Sequence, residues 1–313
     1  MDARATADDA LRMPANGAAA ARLARLATYA SVAVALLLVT IKAIAWFTTD
    51  SVAVLSSLID SLLDTVASIV TLFAIRKAQE PADREHRFGH GKAEPLAALA
   101  QSAFIAGSAA LLLFEAGHRF ITPAPVVKPE LGIAVIAFTI VATLALVLFQ
   151  RWVIRRTGSI AINADALHYK GDLLMNAAVV AALILSGWMG WRYADPTFAT
   201  AIAIYILINA WSIVREALDM LMDRELPDGD RERIYEIARA HPETHRAHDL
   251  KTRRSGQMTF IQMHLEMDPN ISLYRAHRIA DEVEALILEA YPDAEVIIHQ
   301  DPAGIDEQHT RFR

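Results

Sequence analysis

The sequence predicts a mostly α membrane protein, with six transmembrane helices followed by a small cytoplasmic α+β domain of order αββαβ. Three observations predict it. The 313 residues are 54% hydrophobic with a mean hydropathy of +0.28, too apolar for an ordinary soluble chain. Residues 28–221 hold nearly all the long apolar runs, whereas residues 224–313 are rich in Asp, Glu, Arg and His, which sets a boundary near Leu221. Beyond that boundary the apolar pattern changes to short amphipathic helices and alternating strands. The chain has no cysteine, so disulfides, thiolate zinc knots and thiol redox chemistry are excluded, and any metal must be held by His and carboxylate. The net charge of −6 and the mixing of acids with bases in the tail give no support to a nucleic-acid partner.

Residues 1–27 are Ala-rich and polar, and Asp2, Asp8 and Asp9 argue against a transit peptide, so a disordered cytoplasmic arm is expected. Six apolar segments follow, at about 28–47, 52–75, 96–120, 131–154, 161–189 and 196–221. Each is near the ~20 residues needed to cross about 30 Å of hydrocarbon. The loops after the second and fourth segments carry Arg76, Lys77, Arg84, Arg87, Lys92, Arg151, Arg155 and Arg156; the opposite loops offer Arg119, Lys128 and Arg192. That asymmetry places both termini in the cytoplasm.

The tail, residues 222–302, begins with a helix that Asp228 can cap and whose apolar face is Ile234, Ile237 and Ala238. Strands over 246–253 and 258–267 flank Ser255-Gly256, a hairpin signal. The second of them alternates, with Ile261, Met263, Leu265 and Met267 on one face and Gln262, His264 and Glu266 on the other. A helix over 273–291 follows, with Ile279, Val283, Leu286, Ile287 and Ala290 facing in, and a strand over 295–301 closes the domain. Helices on one side of a three-stranded sheet are expected, with residues 303–313 as a C-terminal tail.

Polar groups inside the apolar segments are the informative ones. Asp60 and Asp64 sit at i and i+4 in the second segment, and His168 and Asp172 at i and i+4 in the fifth. An ionised Asp at bilayer depth costs about 2.5–3.5 kcal/mol, so each pair needs a partner. Counted along their helices at 1.5 Å per residue, all four groups fall near mid-membrane. Three carboxylates and one imidazole complete a tetrahedral shell for Zn²⁺ and suit Cd²⁺, Fe²⁺, Co²⁺ or Mn²⁺. The competing reading is buried acids satisfied by neighbouring Ser, Thr or Lys42, or a proton path without metal. In the loop after the second segment, Asp83, His86 and His90 can close on one ion or stand as solvated polar groups. In the tail, His248, His264, His277 and His299 recur with Asp301 on the face of His299; they would suit one or two divalent ions, or be ordinary surface histidines. His241, His245 and His309 are read as surface groups.

Asp60-Ser-Leu-Leu-Asp64, Phe88-Gly-His-Gly-Lys-Ala-Glu94, Asp165-Ala-Leu-His168-Tyr-Lys-Gly-Asp172 and Val296-Ile-Ile-His-Gln-Asp-Pro302 together resemble the cation diffusion facilitator family, in its bacterial zinc- and ferrous-iron-exporting type. The resemblance covers residues 28 to about 302. It implies a homodimeric divalent-metal/proton antiporter of the bacterial inner membrane, embedded in membrane lipid, with a metallochaperone-like (ferredoxin-like) tail. Zn²⁺ would be substrate and regulatory ion, and protons the counter-substrate. It assigns Asp60, Asp64, His168 and Asp172 to a transport site, and Asp83, His86 and His90 to a loop site. His248, His264, His277, His299 and Asp301 fall to a binuclear site at the dimer interface of the tail, and Lys92 and Asp223 to a hinge salt bridge. The alternative is a membrane-anchored metal sensor or scaffold, which has no use for costly midplane charges. An enzyme is not expected: there is no His-Glu-x-x-His stretch, and a four-ligand site leaves no open position for a reactive water.

Overall fold

The computed structural model describes residues 17–49, 52–121, 130–189 and 193–304. Residues 1–16 of the expected arm, the outer-loop residues Lys128 and Arg192, and residues 305–313 of the tail lie outside them. The order is α1 (Gly17–Thr49), α2 (Val52–Ala78), α3 (Ala93–Ile121), α4 (Glu130–Thr157), α5 (Ile160–Met189), α6 (Ala194–Leu221), α7 (Asp228–Arg239), β1 (Arg246–Ser255), β2 (Met258–Met267), α8 (Leu273–Ala290) and β3 (Ala294–Pro302). The chain divides into two compact units, Met1–Leu218 and Asp219–Arg313.

In the first unit, α1, α2, α3, α4 and α6 are long and apolar enough to cross a membrane. The remaining long helix, α5, has 30 residues and carries Asp165, Lys170 and Asp172. Large apolar side chains stand exposed along the helices, among them Ile44, Phe73, Phe114, Val141 and Ile208. Such a belt is unfavourable in water and favourable in hydrocarbon. The start of α1 corrects the expected arm, because residues 17–27 are helical. The physical reason is local: Ala18 to Ala21 are strong helix formers, and Ala24 and Ala27 pack with Ile75, Val153, Ala161 and Ile162. That packing gathers the start of α1, the end of α2, the end of α4 and the start of α5 at one end of the bundle.

A buried polar knot holds the same four helices together. Ser31 of α1 and Gln150 of α4 each donate to Asp165 Oδ2 at 2.7 Å, and Ser68 of α2 donates to Oδ1 at 3.3 Å. The Tyr169 hydroxyl lies 2.8 Å from Ser68 Oγ. All five side chains are buried, so hydrogen bonds within the knot, to the carboxylate and from Gln150 Nε2 to Ser31 Oγ at 2.8 Å, replace those lost to water. Asp165→Ala should leave the Gln150 amide and the serines short of acceptors, at about 1–3 kcal/mol for an orphaned group. The unfolding midpoint in detergent is expected to fall, and to fall less for Asp165→Asn, whose amide oxygen still accepts.

In the second unit the sheet order is β1-β2-β3, with β1/β2 antiparallel and β2/β3 parallel. The parallel pair requires the crossover that α8 supplies. Ile234 and Ala238 of α7 and Ile279, Val283 and Ile287 of α8 share one core with Ile261, Met263, Leu265 and Met267 of β2, so both helices cover the same sheet face. Three details depart from expectation. Pro227 occupies the N-cap of α7 without a side-chain cap, and Asp228 is the first helical residue, turned to Arg231 at 3.3 Å. Ile279, Ala280, Val283 and Ile287 form the buried stripe of α8, which leaves Leu286 41% exposed on its flank. In β1 the register shifts between His248 and Lys251, where Asp249 takes a φ of 47°. This bulge lets Ala247 and Leu250 both face the core while His248 and Lys251 face away.

Candidate metal centres

The first cluster lies inside the helix bundle. The i,i+4 spacing on α5 brings His168 and Asp172 to one face, and α2 presents Asp64 to them. His168 Nε2 is 2.7 Å from Asp64 Oδ1 and 3.7 Å from Asp172 Oδ2. One ligand atom from each of the three lies within 4.8 Å of the others, the spacing that a single bound cation imposes on its shell. The groups line a cavity of about 370 Å³ bounded by α2, α3, α5 and α6. Asp60 lines the same cavity one turn away and is exposed, outside the tight cluster. Phe104 of α3 stands against the imidazole, with ring centroids 6.0 Å apart. Gly171 is explained by proximity, since a Cβ there would come 3.0 Å from Ile206 Cδ1 of α6. Lys42 points into the helix α2 beside the site, donating to Ser61 Oγ at 2.6 Å and to the Ser57 carbonyl at 3.2 Å.

The second cluster is in the loop between α2 and α3. Asp83 Oδ1 accepts from the backbone amides of Glu85 at 2.9 Å and His86 at 2.6 Å. The His86 amide chiefly, then that of Glu85, holds the carboxyl below its ordinary value. Asp83 Oδ2 faces His90 Nε2 at 3.3 Å, and Oδ1 faces His86 Nδ1 at 3.5 Å. The His90 ring is buried; its Nδ1 is 3.4 Å from the Glu80 carbonyl, and its Nε2 has no hydrogen bond among the described residues. A ring anchored through one nitrogen and open at the other is set up as a ligand. Gly89, at a φ of 76°, makes the turn that returns His90 towards Asp83.

The third cluster is on the sheet face turned away from α7 and α8. Strand register puts His248 opposite His264, and His264 beside His299. Asp301 is buried with its two oxygens divided: Oδ2 lies 2.8 Å from His264 Nδ1 and 3.6 Å from His248 Nε2, while Oδ1 lies 3.1 Å from His299 Nε2. A carboxylate shared in this way is placed to bridge two cations. Burial holds His248 below the ordinary imidazole value, with the Glu266 carboxylate opposing it, so the ring is neutral and able to bind metal at neutral pH. His277 is on α8, exposed and 3.7 Å from Asp281.

Residues 28–222 match the cation efflux transmembrane domain, and residues 226–303 the cytoplasmic domain of cation efflux proteins. The cation-efflux pump FieF of Citrobacter koseri is 49% identical over 284 residues, spanning 91% of this chain and 94% of that protein; the FieF of Salmonella arizonae matches equally. The chain belongs to the cation diffusion facilitator family, FieF type. Among solved structures, the zinc form of CzrB is 34% identical over 28% of this chain and 99% of that one, with a TM-score of 0.25. The metal-bound C-terminal domain of the CzcD transporter from Thermotoga maritima is 30% identical over 25% and 93%, with a TM-score of 0.24.

For this cation diffusion facilitator, the structure adds two carboxylates that sequence reasoning did not assign to a site. Asp249 Oδ2 lies 3.8 Å from His264 Nε2, and Glu266 Oε1 lies 3.5 Å from His248 Nδ1. Glu266 was discoverable, since it shares the polar face of β2 with His264. Asp249 was not, because only the bulge turns it to that side. Of the residues assigned to the hinge, Asp223 lies 3.3 Å from Arg253 Nη1, and Lys92 precedes the first turn of α3. His241, read from sequence as a surface group, is instead buried and 3.0 Å from Glu282 Oε2.

Proposed function

We propose that the chain is a divalent-metal/proton antiporter that exports Zn²⁺, or a similar ion such as Fe²⁺, Cd²⁺, Co²⁺ or Mn²⁺, from the cytoplasm. The observation that carries this reading is the convergence of Asp64, His168 and Asp172 within 4.8 Å of one another inside a bundle of apolar helices. A polar cluster so placed is costly unless it holds a cation or protons in turn. Asp64, His168 and Asp172 are the ligands of the transported ion, with Asp60 completing the shell from the same cavity.

The exchange follows from competition for the same lone pairs. A carboxylate or imidazole must be deprotonated to hold metal, so loading the site expels protons, and a more acidic exterior returns them and releases the ion. The His168 nitrogen that would hold the ion is the same lone pair a proton takes, so the imidazole joins the carboxylates in that competition. The site must face each side in turn, which rocking of α2 and α5 against the other helices provides. Both termini are cytoplasmic in a bacterial inner membrane, and the second unit forms a homodimer whose His248, His264, His299 and Asp301 bind regulatory zinc. The loop cluster of Asp83, His86 and His90 is a further metal site. Hydrolytic chemistry is not part of this reading, in which Asp60 joins the three clustered groups as a fourth protein ligand.

In proteoliposomes, an inward-acidic pH gradient is expected to drive Zn²⁺ uptake, and collapse of the gradient to reduce it towards the rate of empty vesicles. Uptake indifferent to the gradient would remove the proton from the mechanism while leaving metal transport in place.

A further inference from the structure

A cavity of about 280 Å³ at the C-terminal end of α4 is lined by Leu148, Arg151, Trp152, Arg155 and Arg156. It is separate from the three metal-binding clusters. The Arg156 guanidinium lies 4.3 Å above the Trp152 ring, whose other neighbour is Phe149 at 6.0 Å in a stacked arrangement. None of the three arginines forms an ion pair with a described residue, whereas Arg119 is paired with Glu115 and Lys77 with Glu80. Two ordinary reasons for basic residues here are a helix C-terminus, which favours cations, and the charge bias of membrane loops. Neither calls for a cavity walled by an indole, and Arg151 lies a turn before the last.

The surface leading to the cavity is apolar and exposed. Val141, Leu144 and Leu148 follow one another at i, i+3 and i+7 on α4, at 67%, 42% and 58% exposure, and the line continues into Trp152 and Arg155. An apolar track that ends in unpaired guanidinium groups and an interfacial aromatic ring has the polarity of a phospholipid with an anionic headgroup. Guanidinium forks bind phosphate oxygens bidentately, and the Trp152 ring orients Arg156 while shielding it from water.

We propose that this cavity binds the phosphate headgroup of an anionic phospholipid, with its acyl chains along Val141, Leu144 and Leu148. The full-length protein in detergent micelles is titrated with phosphatidylglycerol, phosphatidylcholine or inorganic phosphate, and retained lipid is read by native mass spectrometry. The parent protein is expected to retain phosphatidylglycerol in preference to phosphatidylcholine. Replacing all three arginines by glutamine should weaken that retention on the order of a hundredfold, at about fivefold per cationic side chain. Should that variant fail to insert, Arg151→Lys, Arg155→Lys and Arg156→Lys with Trp152→Ala keeps the positive charge at this end of α4 and removes the forks and the indole; it is expected to lose the part of the preference that these supply beyond charge. Equal retention of both lipids by the parent protein overturns the proposal. So does an inserted variant of either kind with the parent's preference, or displacement of phosphatidylglycerol by inorganic phosphate.

Discussion

Asp64→Ala is expected to lower Zn²⁺ affinity at the intramembrane site by at least about a hundredfold, since loss of a mere supporting group around a metal ligand already costs 10–100-fold. Export in vesicles should fall to background. The geometry assigns Asp64 this weight because its Oδ1 lies 2.7 Å from His168 Nε2, closer than Asp172 Oδ2 at 3.7 Å. Without it, the cluster is reduced to a histidine and an aspartate from one helix, and α2 contributes only Asp60. Asp60→Ala should be milder, because Asp60 lines the cavity from one turn away and lies outside the compact set. Isothermal titration separates the two variants if it is run where the tail cluster has been disabled, so that heats from the sheet do not mask those from the bundle. An Asp60→Ala effect as large as that of Asp64→Ala would mean that both carboxylates coordinate the ion equally.

The reasons the sequence revealed so much of this site are physical. Charged groups in hydrocarbon are conspicuous, helical spacing of four pairs Asp60 with Asp64 and His168 with Asp172, and matching depth brings the two pairs to one level; only packing shows that Asp60 stands outside the compact set. The tail was legible for a different reason: β2 alternates with period two, which put His264 on the face opposite Leu265 and Met263. What periodicity could not convey was any event that breaks it. The bulge at Asp249 changes the face of every residue before it relative to those after it, and no composition cue marks a non-glycine residue at positive φ. Long-range polar matching was equally hidden. Ser31, Ser68 and Gln150 are unremarkable in their own helices, and only packing shows that all of them serve Asp165. His277 is a separate matter: the resemblance assigns it to a site at the dimer interface, and within one chain it is exposed on α8, 3.7 Å from Asp281.

Asp301→Ala is expected to abolish the rise in melting temperature that Zn²⁺ gives the cytoplasmic unit, measured on the full-length protein by a probe of β-sheet unfolding. A cation bound only by the folded sheet stabilises it by about 2.7 kcal/mol when present at a hundred times its dissociation constant. Asp301 turns one oxygen towards His264 and His248 and the other towards His299, so its removal breaks both halves of the cluster at once. His299→Ala should leave the His248–His264 half and retain part of the stabilisation. The effect should also depend on pH in a fixed direction. Burial lowers the His248 value, so between that lowered value and the ordinary imidazole value the unfolded chain binds more protons than the folded one. Stability from this residue is therefore complete above the ordinary value and is lost as the pH falls towards the lowered one. Proton competition for the same nitrogens removes the zinc increment in the same direction. A zinc-dependent rise that survives Asp301→Ala would show that the strand histidines bind without the shared carboxylate, and would return Asp301 to a purely structural role.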